Sequence, residues 1–329
     1  MTGRALTLSD TTITKLIRVS AGALVVGTLA IVALRVLDRP NHGPTLFDRE
    51  IDAAREVLKS APDAIGPRLQ LAHVYRSAGR HQEALEQYDE ILKVEASEKT
   101  ALLGRADILL EDGDLGGASK AYGKVIATTR GGEFSPVDPQ REHAYYGLAS
   151  VALAQGRARD AVAAASSALK IDATDADAWY LLGTSNLAAG DPRAAVEGLR
   201  RAVLFVPTGW CEPYADLGTA YGHLGQRARA SYANAMLDFC QQRPERAVQT
   251  LERLTSGPAA VDAMLGLAMI AESTSDRTAA VRWYHKVVAA DPSNFNARAG
   301  LTRLGVPPAA QKPAKPAPRA QTDTDGGTS

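Results

Sequence analysis

Residues 179–207 read WYLLGTSNLAAGDPRAAVEGLRRAVLFVP. Two stretches with apolar residues at helical spacing flank the Gly190-Asp191-Pro192 break, so the segment reads as a helix-turn-helix pair. Gly190 stands five residues before Ala195. The same pair recurs at Gly79/Ala84, Gly113/Ala118, Gly156/Ala161 and Gly225/Ala230, in steps of 34, 43, 34 and 35 residues. A period near 34 marks one supersecondary unit copied and stacked. Each glycine ends the first helix of its pair, where a left-handed residue costs glycine little. Small residues at the crossing points let helices approach closely, and large ones fill the groove beside them. The expected fold is all-α, a helix-turn-helix repeat solenoid whose product is surface rather than a pocket of reactive groups.

The quoted unit contributes Trp179, Leu182, Gly183, Gly190, Ala195, Leu199, Ala202 and Pro207 to a common pattern. The first unit supplies Leu71, Ala72, Tyr75, Gly79, Ala84, Tyr88 and Ile91; the second supplies Leu102, Ala106, Leu109, Gly113, Ala118, Tyr122 and Val125. The third has Tyr145, Leu148, Ala149, Gly156, Ala161 and Ala168, and the last Leu267, Ala268, Ala280, Tyr284, Val287 and Pro292. These positions resemble tetratricopeptide repeats from about Ile65 to Pro292. Arg105 and Asn186 depart from the pattern, and Ser275 replaces the turn glycine.

The termini read differently from the repeats. Residues 1–15 form a short tail. Residues 16–37, LIRVSAGALVVGTLAIVALRVL, carry an uncharged core between Arg18 and Arg35. From Val19 to Leu37 a helix would span roughly 28 Å, about one hydrocarbon thickness. The segment is therefore expected to be one N-terminal transmembrane helix. A cleaved signal peptide and a buried helix are the competing readings. The long polar stretch before the core, and the lack of a small-x-small site before Arg35, favour the uncleaved anchor. Flanking arginines and lysines are nearly balanced, and the short N-terminal tail favours repeats on the extracytoplasmic side. Residues 38–62 read as a linker and a capping half-repeat, with Thr45 as N-cap of a helix at about Leu46–Lys59. Residues 63–305 are the solenoid. Residues 306–329 are Pro/Ala-rich, then polar, and are expected to be a flexible tail.

Two irregularities break the repeat. Nine extra residues, Glu133–Arg141, separate units two and three and are expected to form a surface loop, either at a binding face or as a tolerated insertion. Between Cys211 and Ala290 five helical stretches occur, an odd number for paired units. Either one helix is unpaired, or the units around Ser231–Cys240 share it.

Chemistry is not expected. The 37 basic and 37 acidic residues cancel, which argues against nucleic acid as a partner. No histidine pair has the i, i+4 spacing of a helical metal site, and the cysteines lack metal-ligand spacing. The sequence thus reads as non-enzymatic, with no cofactor and no small-molecule substrate. Cys211 and Cys240 lie 14 and 15 residues from Gly225, so a hairpin would bring them to one end. A disulfide there would imply an oxidising compartment; two unrelated buried thiols are the alternative.

In the family resembled here, first helices line a concave groove that holds partner segments. That resemblance places Leu69, His73, Leu103, Asp107 and Tyr146 on the groove. It adds Ser150, Leu153, Tyr180, Thr184 and Leu187 from the third and fourth units. The strip is aromatic and aliphatic, suited to an extended or helical apolar segment. Alternatively, Tyr146 and Tyr180 pack between neighbouring helices. The combined reading is a membrane-anchored scaffold or adaptor that binds other proteins, with the lipid bilayer holding its anchor. The other reading is an extracytoplasmic chaperone-like assembly factor, as in cytochrome c or envelope-complex biogenesis.

Overall fold

A computed structural model describes residues 45–130 and 137–307. The expected transmembrane helix at 16–37 lies outside the described residues, as do the tail 1–15, the linker up to residue 44 and everything beyond Pro307. Among the described residues no helix is long and apolar enough to cross a membrane. They fold into fifteen helices and no strand. The chain divides at Gln87 and Tyr88 into two compact units.

The first unit holds α1 (Leu46–Ser60), α2 (Ile65–Ser77) and the start of α3 (His81–Val94). A capping box opens α1, in which the Asp48 amide donates to Thr45 Oγ1 at 3.1 Å and the Thr45 amide to Asp48 Oδ2 at 2.9 Å. Ile51 and Ala54 are buried on α1, and Leu71, Ala72 and Tyr75 on α2. Arg55 Nε donates to the Tyr75 hydroxyl at 3.0 Å, tying the two helices together.

The second unit takes up the rest of α3 and continues with α4 (Lys99–Glu111), α5 (Leu115–Thr129), α6 (Pro139–Ala154) and α7 (Ala158–Leu169). Next come α8 (Ala176–Ala188), α9 (Pro192–Phe205), α10 (Glu212–His223) and α11 (Arg227–Cys240). Then follow α12 (Pro244–Arg253), α13 (Ala260–Ser273), α14 (Arg277–Ala290) and α15 (Phe295–Arg303). From α4 onward consecutive helices pack on each other, and first helices also touch the first helices of adjacent repeats, α4 on α6, α6 on α8 and α8 on α10. At some junctions between repeats a tyrosine of one second helix seats on a glycine of the next helix. A Cβ on Gly147 would lie 2.2 Å from the Tyr122 ring, and one on Gly300 2.4 Å from Tyr284. Both rings are fully buried.

The expected loop at Glu133–Arg141 is corrected at its C-terminal end. Pro139, Gln140 and Arg141 form the first turn of α6, because Asp138 caps the amides of Gln140 and Arg141 and proline suits the first helical position. Residues 131–136 lie outside the described residues. Asn186, off pattern, is also accommodated: it is buried and its Nδ2 donates to the Leu182 carbonyl at 2.9 Å.

The odd helix count resolves as sharing. The turn at Gly190 has φ +81°, and Gln242 and Ser275 hold comparable angles of +62° and +63°. Gln242 precedes Ala247 by five residues and Ser275 precedes Ala280 by five, so both occupy the turn-glycine position. From Gly225 to Gln242 the step is 17 residues, half a repeat. Accordingly α11 is the second helix of the pair with α10 and the first helix of the pair with α12, and it reaches α13 as one first helix reaches the next. Tyr232, Ala233, Ala235 and Met236 are all buried on α11, which serves both partners. Cys211 and Cys240 are joined across this place, with Cα atoms 5.5 Å apart.

Candidate functional site

The ten residues expected on a groove fall in two places. Leu69 (half-buried) and His73 (exposed) lie on α2 in the first unit. The other eight lie in the second unit. Of these, Leu103 and Asp107 on α4 are buried within the core. Asp107 accepts from the Tyr122 hydroxyl at 2.6 Å, and His143 Nε2 lies 2.8 Å from the same carboxylate oxygen. These bonds hold the α4, α5 and α6 helices together, so Asp107 supports the fold rather than facing a ligand.

Further along, α6 and α8 present a half-exposed face. Tyr146, Ser150 and Leu153 follow one another at helical spacing on α6, and Tyr180, Thr184 and Leu187 repeat them 34 residues later on α8. The hydroxyls of Ser150 and Thr184 donate to backbone carbonyls of their own helices, at 3.2 Å to Tyr146 and 3.1 Å to Leu181, which leaves the rings as the prominent features. Tyr146 packs against Leu181 and Ala149 on one side. The ring of Tyr180 meets Trp210, in the connection before α10, edge to face with centroids 5.0 Å apart. That geometry is a favourable one for aromatic pairs. Trp210 was not legible as a groove residue, since it lies outside any helical period. Its signal is its place next to Cys211, whose bond to Cys240 fixes where the connection runs.

Carboxylates crowd the same end of these helices. Glu142 lies in the first turn of α6, Asp175 caps α8, Asp177 is in its first turn, and Glu212 and Asp216 lie on α10. Burial, with Asp175 beside it, pushes the Glu142 carboxyl up to about 7. Burial and then Asp175 raise Asp177, and burial raises Asp216. The Tyr180 hydroxyl faces Asp216, and its pKa is raised by burial first and that carboxylate next. Tyr146 is likewise raised, by burial and then by Asp177 and Asp175. The two tyrosines and five carboxylates therefore form one electrostatic neighbourhood, rich in acids.

A separate cleft of about 90 Å³ opens where α13 approaches α9, lined by Arg200, Tyr214, Tyr221, Tyr232 and Asp262 among others. Its polar groups are engaged with one another: Arg200 bonds Asp262 and the Tyr221 hydroxyl at 3.3–3.4 Å, and Tyr214 donates to the Pro207 carbonyl at 2.7 Å. Among the described residues no group of three or more His, Cys, Asp or Glu side chains is arranged to hold a metal ion.

Among curated proteins no sequence relative is found. Similar solved structures include MamA, at 22% identity over 56% of this chain and 95% of that one with a TM-score of 0.44. Another is YrrB, described as a TPR protein with an unusual peptide-binding site, at 18% identity, 61% and 99% coverage and a TM-score of 0.47. A third is the Thermus thermophilus TPR protein TTC0263, at 19%, with 59% and 100% coverage and a TM-score of 0.43. One tetratricopeptide-repeat family model matches residues 69–136 and 232–295, and a second matches 109–183 and 152–217, together well over half of the chain. With the helix pairs, the turn residues and these matches in agreement, the chain belongs to the tetratricopeptide-repeat proteins, a fold that serves as a protein-binding scaffold.

Proposed function

We propose that this protein is a scaffold that captures a segment of another protein on the α6–α8 face of its second unit, and that residues 16–37 anchor it in a membrane. The observation that carries the reading is the half-exposed row of Tyr146, Tyr180 and Trp210. Three aromatic rings on rigid helices and a stapled connection offer a large contact area with little conformational entropy to lose on binding. Anchoring rests on the apolar 16–37 segment, and a Cys211–Cys240 bond suits an extracytoplasmic repeat domain.

Crosslinking in intact membranes followed by mass spectrometry tests this reading, with the Tyr146→Ala/Tyr180→Ala variant as control. One stoichiometric partner, lost in the variant, is the expected result. Many substoichiometric clients would indicate a chaperone-like factor instead, and an unchanged partner set would move binding away from this face.

A further inference from the structure

Resting on that reading of the α6–α8 face, we infer that the segment it receives is basic: a lysine or arginine of a partner protein enters beside Tyr146, Tyr180 and Trp210 and meets Asp177 and Asp216.

Two independent observations point to a cation. The first concerns the rings. Among the described residues, the other half-exposed tyrosines and tryptophans are covered by the chain's own cations, whereas the exposed phenylalanines Phe47, Phe205 and Phe295 are not. Arg141 lies over Tyr145, Arg201 over Trp179, and Arg282 and Lys286 over Trp283, at 4.1–5.6 Å from the ring centroids; Arg55 and Arg80 also flank the buried Tyr75. Among the described residues no cation of the chain lies over Tyr146, Tyr180 or Trp210. A tyrosine or tryptophan face left bare, where the other half-exposed ones are covered, is complementary to an incoming cation.

The second concerns the carboxylates. Asp175, Asp177, Glu212 and Asp216 form no ion pair among the described residues, whereas Asp238 is paired with Arg243 and Arg246, and Glu272 with Arg303. The groups acting on Asp177, Asp216, Tyr146 and Tyr180 are their own burial, other acids and phenols, and hydroxyl contacts, with no cation among them. Asp175 and Asp216 are half-buried and Asp177 and Glu212 exposed; clustered carboxylates without a counter-charge repel one another in the free protein, and a cation bound among them relieves that repulsion. The molecule as a whole is neutral, so the attraction is local to this face. The same charge excludes phosphopeptides and acidic segments.

Selection of a random dodecapeptide display library on the full chain in detergent tests the inference. Enriched peptides are expected to carry Lys or Arg beside apolar residues. A chosen peptide should bind at least tenfold more weakly to Asp177→Asn/Asp216→Asn, with a flatter salt dependence and an unchanged helical circular dichroism spectrum. Enrichment of neutral or acidic peptides, or no enrichment, overturns the inference. If neutral peptides are enriched and lost in Tyr146→Ala/Tyr180→Ala, the face still binds partners and only its preference for cations fails. If basic peptides bind and survive the tyrosine substitutions, the face itself fails as the site. Deletion of residues 308–329, which hold Lys312, Lys315 and Arg319, should leave affinity unchanged. A gain of tenfold or more on deletion would assign the face to the chain's own tail and overturn the partner assignment.

Discussion

At the scale of single residues, two side chains hold unfavourable positions that can be relieved. Ser275 occupies a turn with φ +63°, a region that costs a non-glycine residue about 1–2 kcal/mol. Part of that gain is offset by the greater unfolded-state freedom of glycine. Ser275→Gly is therefore expected to raise stability by about 0.5–1 kcal/mol in urea denaturation. Glu142 is the second. Its carboxyl is raised from 4.5 to about 7 by burial and by Asp175. Between those values the folded chain holds a proton that the unfolded chain has released, so stability falls as pH rises through the window and levels off above it. Discounted for the half-exposed side chain, the loss is about 1 kcal/mol. Glu142→Gln should remove this slope, matching wild type near pH 4.5 and exceeding it near pH 7.5; parallel pH profiles would refute the assignment.

At the scale of helices, coupling between units runs through tyrosines seated on glycines. Gly147 admits the Tyr122 ring, whose hydroxyl then reaches Asp107. A methyl group at 147 would force the ring, and the buried hydrogen bond with it, out of place. Overpacking of this kind costs about 1–3 kcal/mol, and the lost hydrogen bond to the buried carboxylate adds to it. Gly147→Ala should accordingly destabilise by at least about 2 kcal/mol. Tyr122→Phe, which keeps the ring and loses only the hydroxyl, should cost about 1–2 kcal/mol. Equal losses in the two variants would mean that the close approach carries no strain.

At the scale of the whole molecule, the half-repeat step at α11 decides how the later helices continue the stack. One helix serves two pairs, and the Cys211–Cys240 bond ties its far end to the start of α10. Closing a loop of 29 residues is worth about 3.5 kcal/mol in the chain-entropy account. Cys211→Ser/Cys240→Ser should lower stability by about that amount. Because Trp210 adjoins Cys211, the variant should also change the near-ultraviolet circular dichroism of the Tyr180–Trp210 pair. An unchanged near-ultraviolet signal would show that the connection before α10 holds its place without the bond.

Much of this fold was legible because each turn is chosen locally. A glycine that tolerates a left-handed angle, five residues before a small helix-packing alanine, identifies a hairpin with no knowledge of the rest of the chain. Gln242 escaped that reading and Ser275 was legible only as a replacement for the glycine, since the tertiary packing of α11–α12 and α13–α14 imposes the angle on residues that do not ask for it. The site was legible only in part. Tyr146 and Tyr180 follow from the period, whereas Asp107, placed on the same face by that period, is drawn into the core by Tyr122 and His143. Trp210 and the carboxylates from α6, α8 and α10 come together only when three units stack, because their closeness is set across the stack and not along the chain. Period and turn chemistry are local properties, written in the sequence by itself. Which helix is shared, which rings stay bare and which charges meet are decided by contacts between residues far apart in the chain, and so only by the tertiary structure.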